Sequence, residues 1–141
     1  MNEPADLGRA EGAEGAERAA LAAKGREVQR RLWGDAAADH EHPPTPAGEL
    51  APDYFAMVRE FCFGMFWSRE NLAVRDRSLI TVAMLAALGK QEELAGHLRG
   101  ALNVGITKEE LLEVLMQVGV YAGVPAGVQA LTTAAKILGS A

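Results

Sequence analysis

Three histidines, one cysteine and a handful of arginines carry most of the chemistry open to this chain. His97 stands out among them. It lies in QEELAGHLRGALN, residues 91–103, whose apolar side chains recur at helical spacing. Leu94 and Ala101 sit three residues before it and four after, so the imidazole borders the apolar face. Glu93 precedes it by one turn, where a carboxylate can bond a ring nitrogen, set the tautomer and favour the protonated ring. Such a pair can act as a general acid or steady a developing enolate. It is equally the pattern of a core-edge histidine satisfied by its helix neighbour.

Arg99 is two residues beyond His97, about 200° around a helix. The two side chains cannot enter one pocket from the same direction, so Arg99 suits another helix or a neighbouring subunit, or a surface ion pair. Arg75-Asp76-Arg77 opens another helical stretch. Two arginines at the positive end of a helix dipole call for compensation. Acidic neighbours within the fold would supply it; so would a carboxylate substrate held by the planar fork of Arg77. His40 and His42 lie in a proline-rich connector whose spacing fits no structural zinc pattern, and they read as exposed loop residues. Cys62, between Phe61 and Phe63, has no adjacent cation or second thiol and reads as an apolar filler. The aromatic residues, Trp67 among them, read mainly as core. Tyr121 is the exception, because it ends a helical stretch before Gly123 and Pro125, where a hydroxyl can point into a cleft. No glycine-rich phosphate loop, Gly-x-Ser-x-Gly turn or His-Glu-x-x-His helix is present.

The elements that must position these residues are helical throughout. Residues 1–14 are rich in Ala, Gly and Glu and are expected to form a disordered tail, followed by a single helical domain over 15–141. Residues 14–33 carry Leu21, Val28 and Leu32 as a narrow apolar stripe, weakened by Gly25. Pro43, Pro44 and Pro46 argue against helix in the connector 34–49. Residues 51–67 show a broad apolar face through Phe55, Val58, Cys62 and Phe66. Residues 74–88 are apolar on nearly every side, the mark of a centrally buried helix, and Gly89 suits a left-handed cap. Thr107 and Glu110 form a capping box that opens a helix running to Tyr121. A last helix covers 126–138. With no period-two alternation, the expected class is all-α with about six helices.

Composition narrows the partners. The chain has 141 residues, 49% hydrophobic, with a formal charge of −5, which invites neither nucleic acid nor anionic lipid. One cysteine excludes an intramolecular disulfide. No uninterrupted apolar run reaches the ~18 residues of a membrane span, and the first residues lack a secretory pattern. A cytoplasmic protein without membrane or nucleic-acid partners is expected. A small domain with a nearly all-apolar helix has few helices to cover it, so self-association is expected too.

From about residue 51 to 138 the chain resembles the carboxymuconolactone decarboxylase family, part of the alkylhydroperoxidase D-like superfamily. The resemblance is carried by Arg75-Asp76-Arg77-Ser78-Leu79-Ile80-Thr81-Val82-Ala83-Met84-Leu85 and by His97-Leu98-Arg99-Gly100-Ala101-Leu102-Asn103. It continues through Gly105-Ile106-Thr107-Lys108-Glu109-Glu110 and Val120-Tyr121-Ala122-Gly123-Val124-Pro125-Ala126. Phe61-Cys62-Phe63-Gly64 and Trp67-Ser68-Arg69 are similar to its 4-carboxymuconolactone branch. The resemblance implies an all-α, alkylhydroperoxidase D-like domain assembled as a homotrimer-based ring, often a homohexamer. It implies a lyase that decarboxylates 4-carboxymuconolactone to its enol-lactone in aromatic-acid catabolism, with no metal or organic cofactor. On that footing His97, oriented by Glu93, delivers a proton or supports the oxyanion. Arg77 and Arg99 hold substrate carboxylates, Arg99 from a neighbouring subunit, and Trp67 and Tyr121 wall the pocket.

Two departures qualify this. Lys90 and Glu93 stand where the peroxidase-linked branch carries Cys-x-x-Cys, and no thiol-disulfide cycle can run on them. Met65 follows Gly64 where decarboxylase-like sequences often carry an acid. Two alternatives therefore stay open. One is the same fold acting on a different β-keto or lactone acid in another pathway; the other is a non-catalytic oligomeric binding protein.

Overall fold

The computed structural model describes the backbone of residues 4–139 and the side chains of residues 11–139. Every regular element among them is helical: α1 (Pro4–Trp33), α2 (Asp35–Asp39), α3 (Pro46–Leu50), α4 (Pro52–Val58), a π-helical segment (Arg59–Trp67), α5 (Val74–Ala87), α6 (Gln91–Asn103), α7 (Lys108–Tyr121) and α8 (Val124–Leu138). The all-α class holds among the described residues, with more helical segments than expected. Among the described residues no helix is long and apolar enough to cross a membrane. Close contacts divide the chain into two compact units. Residues up to 30 and 34–69 form the first; residues 31–33 and those from 70 onward form the second.

In the first unit, α1 starts at Pro4, well before the start near Glu14 read from the pattern. The segment 1–14 set down as a disordered tail is thus helical from Pro4 on, its first three residues lying outside the described ones. Ala, Glu and Arg supply the propensity, and the side chains at 11–20 are all exposed. The connector 34–49 also departs from expectation, since it holds α2 and α3. Pro46 takes the first turn of α3, where its missing N–H costs nothing, and the Thr45 hydroxyl accepts from the Gly48 amide at 3.1 Å.

The stretch read as one helix over 51–67 changes winding at Arg59. A π-helix bonds each residue to the fifth along, so a 3.6-residue apolar face does not continue through it. Phe63 and Gly64 are buried, while Phe61, Met65 and Phe66 are exposed. The wider winding suits the crossing with α1. A Cβ on Gly25 would meet the Arg59 carbonyl oxygen at 2.4 Å, and one on Gly64 would meet the Leu21 carbonyl oxygen at 2.1 Å. Residues five apart on the π segment thus meet residues four apart on α1, backbone against backbone. Arg59 is buried there, with Nε donating to Gln29 Oε1 at 2.7 Å and Nη2 donating to the His40 carbonyl.

The second unit is a four-helix core, α5 to α8. Val82, Leu94, Leu98, Leu111, Leu115 and Ala130 are among its buried side chains. Gly89 follows α5 at φ 69, the left-handed cap expected of it. The capping box before α7 is complete: Thr107 Oγ1 accepts from the Glu110 amide at 3.1 Å, and Glu110 Oε2 accepts from the Thr107 amide at 2.8 Å. Only one side of α5 is buried, through Val74, Ser78, Val82 and Ala86. Ile80, Met84 and Leu88 remain exposed, so within a single chain this helix is not enclosed on every side as its composition suggested. The final turn of α1, carrying Leu32 and Trp33, belongs to this unit and reaches α6.

Candidate active site

His97 sits mid-way along α6, on a helix whose Leu94, Leu98 and Ala101 are fully buried. That amphipathic pattern draws the imidazole into the body of the unit, and its Nδ1 is shielded from solvent. Burial pushes the ring's pKa below its ordinary value, and the nearby Glu93 charge only partly offsets this. The protonated ring expected from the Glu93 pair is therefore corrected: Glu93 is exposed, its field is screened, and desolvation wins. A neutral imidazole keeps one N–H donor and one acceptor nitrogen.

The residue that packs on this ring is Trp33, from the end of α1. The two rings meet edge to face, with centroids 5.2 Å apart and planes inclined by 75°. The indole Nε1 donates to the Gly96 carbonyl at 3.0 Å. Leu32 beside it is fully buried, and its carbonyl accepts from Asn103 Nδ2 at 2.7 Å. The sequence reading missed Trp33 as a neighbour of His97. The available signal was Gly100 inside α6, where a Cβ would meet the indole nitrogen at 3.0 Å.

The arginines lie elsewhere on the unit. Arg75 pairs with Glu110 of α7 and with Asp76 at 3.6 Å, the acidic compensation expected at the start of α5. Glu110 is held below the usual carboxylate range, first by the Thr107 amide and then by Arg75. Arg77 is half-buried, with Nε donating to the Leu72 carbonyl at 3.1 Å. Arg99 is exposed, as its position around α6 requires. Tyr121 is exposed at the end of α7 and lines an open apolar groove of about 730 Å³ between α5 and α7. Ile80, Met84, Val114 and Val118 line the same groove, with Glu113 and Gln117 as polar members. His97 is not among the lining residues, so within one chain the groove does not join Tyr121 to the imidazole.

Trp67 belongs to the first unit, half-buried, with its ring centroid 5.7 Å from that of Phe63. That unit also holds a smaller cleft of about 220 Å³ lined by Arg26, Glu41, His42, Asp53, Arg59 and Glu60 among others. His42 Nδ1 lies 3.1 Å from the Pro43 carbonyl oxygen. Among the described residues no group of three or more His, Cys, Asp or Glu side chains is placed to share a metal ion. Cys62 is half-buried, and burial raises its thiol pKa, which disfavours the reactive thiolate.

Among the described residues every regular element is helical, and His97 lies partly buried on the amphipathic α6. The sequence matches the carboxymuconolactone decarboxylase family over residues 52–136, and the chain belongs to that family. It is similar to a 4-carboxymuconolactone decarboxylase from Acinetobacter baylyi, 44% identical over 64 residues, covering 45% of this chain and 48% of that protein. It is also similar to a nitrosuccinic acid decarboxylase from Metarhizium robertsii, 33% identical over 60 residues, covering 43% of this chain and 42% of that protein. The chain spans less than half the length of these curated relatives.

Proposed function

We propose that this chain is a carboxy-lyase that removes carbon dioxide from a carboxymuconolactone-type lactone acid, giving the enol-lactone, in aromatic-acid breakdown. The observation that carries the reading is His97, partly buried on α6 inside the family-matched residues, where burial favours the neutral ring. The name of the Acinetobacter baylyi relative supports the substrate.

The chemistry asks little of the protein beyond placement and electrostatics. The bond to the carboxylate carbon breaks, carbon dioxide leaves, and the electron pair delocalises onto the lactone carbonyl oxygen. The substrate is its own electron sink, so no cofactor is required. A neutral imidazole N–H can donate a hydrogen bond to that developing oxyanion, where a preorganised donor acts on the transition state. Protonation at carbon then completes the product. In this reading Glu93 tunes His97 through its charge. Arg77 and Arg99 hold substrate carboxylates, Arg99 acting across a subunit boundary because it points away from His97. Trp67 and Tyr121 are the aromatic residues proposed to contact substrate. A homotrimer or homohexamer supplies that boundary, and the exposed apolar side chains of α5 and α7 are what such an assembly would cover.

A second reading keeps the reaction and changes the acid. The Metarhizium robertsii relative favours it: loss of carbon dioxide beside a nitro group also leaves a carbanion delocalised onto oxygen. Met65, exposed where related decarboxylases often carry an acid, fits a changed proton donor.

The test mixes purified protein with carboxymuconolactone, and separately with nitrosuccinate, and follows absorbance and carbon dioxide release. Turnover of the lactone acid is expected, with His97→Ala reducing it by at least about tenfold, roughly 1.4 kcal/mol. A smaller loss removes His97 from the chemistry. Binding of either acid without turnover selects the non-catalytic binding protein.

A further inference from the structure

We infer that Trp33 is a positioning residue for His97, fixing the imidazole from the last turn of a helix that precedes the family-matched residues. The inference rests on the reading of His97 as the reacting side chain. The indole is held at two points. Its N–H donates to the carbonyl of Gly96, the residue before His97, at 3.0 Å. Its ring meets the imidazole edge to face at 5.2 Å, within the range aromatic pairs prefer.

The turn that carries Trp33 is itself anchored to the same helix. Leu32 is fully buried, and Asn103, two turns beyond Gly96, donates to its carbonyl at 2.7 Å. Gly100, between those two, is the gap through which the turn approaches. A Cβ there would meet Trp33 Nε1 at 3.0 Å and the Leu32 carbonyl oxygen at 3.4 Å. Gly96, Gly100 and Asn103 recur at four and three residues, so they present one face of α6 to the end of α1. A glycine inside a helix costs about 1 kcal/mol relative to alanine. At position 100 the cost has a return, since a Cβ there would press on the indole nitrogen at 3.0 Å, closer than ordinary van der Waals contact.

The consequence for chemistry is orientation. The terminal torsion of a histidine is broad, and a donor aimed at a developing oxyanion must be held within about 10–20° to be effective. The edge-to-face contact with the indole restricts that torsion. Trp33 touches neither the reacting atoms nor the substrate in this scheme and acts through His97.

The test compares Trp33→Leu, Trp33→Phe and Gly100→Ala with wild type. Turnover is measured with carboxymuconolactone, and the His97 ring C–H resonances by NMR. Trp33→Leu should lower kcat by about tenfold while KM changes by less than about threefold, the signature of lost alignment rather than lost binding. Trp33→Phe keeps an aromatic edge and should recover to within about threefold of wild type. Gly100→Ala, which crowds the indole and leaves every aromatic ring in place, should follow Trp33→Leu in direction. The His97 ring resonances should move in Trp33→Leu and Gly100→Ala, and less in Trp33→Phe. Wild-type kcat in a folded Trp33→Leu, or a kcat loss with unmoved His97 resonances, overturns the inference. If Trp33→Leu does not fold, the same readouts on Trp33→Phe and Gly100→Ala decide it. If wild type turns over no acid while the His97 resonances still respond to Trp33, the proposed reaction fails and the Trp33–His97 placement does not.

Discussion

Glu93 stands one turn before His97 on α6, in solvent, and its charge favours the protonated ring, while burial of the imidazole opposes protonation more strongly. Burial therefore holds the ring's pKa below that of an ordinary histidine. His97 should titrate below the usual value of about 6.5 in an NMR titration of its ring protons. Glu93→Gln, which removes the raising charge, should move it lower still. The sign for stability follows from linkage. As pH falls, the unfolded chain takes up the proton first, so stability present above about pH 6.5 is lost as pH drops through that value toward the folded-state pKa. Denaturant midpoints between about pH 5 and 8 should fall with acidity in wild type and less steeply in His97→Gln. A His97 that titrates at or above the ordinary value contradicts this.

Gly25 is a crossing point rather than a weak spot in α1. Alanine there would contribute about 1 kcal/mol of helix propensity. Its Cβ, however, would sit 2.4 Å from the Arg59 carbonyl oxygen and 2.9 Å from Arg59 Cγ. Backbone cannot yield as a flexible side chain can, so the clash outweighs the propensity. Gly25→Ala should destabilise by about 1–3 kcal/mol in chemical denaturation. Gly12→Ala, which meets nothing within 4 Å on the same helix, should be neutral or stabilising. Equal stabilisation by both would show that α1 and the π segment do not cross as described.

The exposed side of α5 has a matching consequence for assembly. Met84 is 51% exposed in the single chain and lines the α5–α7 groove beside Ile80 and Tyr121. If neighbouring copies cover this face, Met84→Glu buries a charge and should shift the protein toward smaller species in light scattering. The helical signal should stay intact, because the side chain lies outside the core of its own chain. A wild type that scatters as a monomer, or a Met84→Glu variant with unchanged mass, removes this face from the assembly.

The helices of the second unit were legible because their signals are local. Thr107 and Glu110 lie three residues apart and cap α7 by themselves; Gly89 ends α5 through its own backbone freedom; α6 was bounded correctly at Gln91 and Asn103 by its apolar period. The motif around His97 and the family were legible for the same reason, being written in short runs of sequence. Only the tertiary structure decided the rest. Residues 59–67 took π winding where α1 crosses them, which no 3.6-residue pattern can announce. Trp33 reached His97 from a position 63 residues before Gly96. The direction in which the imidazole's pKa moves follows burial first, with the Glu93 charge opposing it. Propensity, capping and period act over one or two turns and can be read along a chain. Desolvation and close backbone approach depend on which distant residues arrive, and they exist only once the helices have packed.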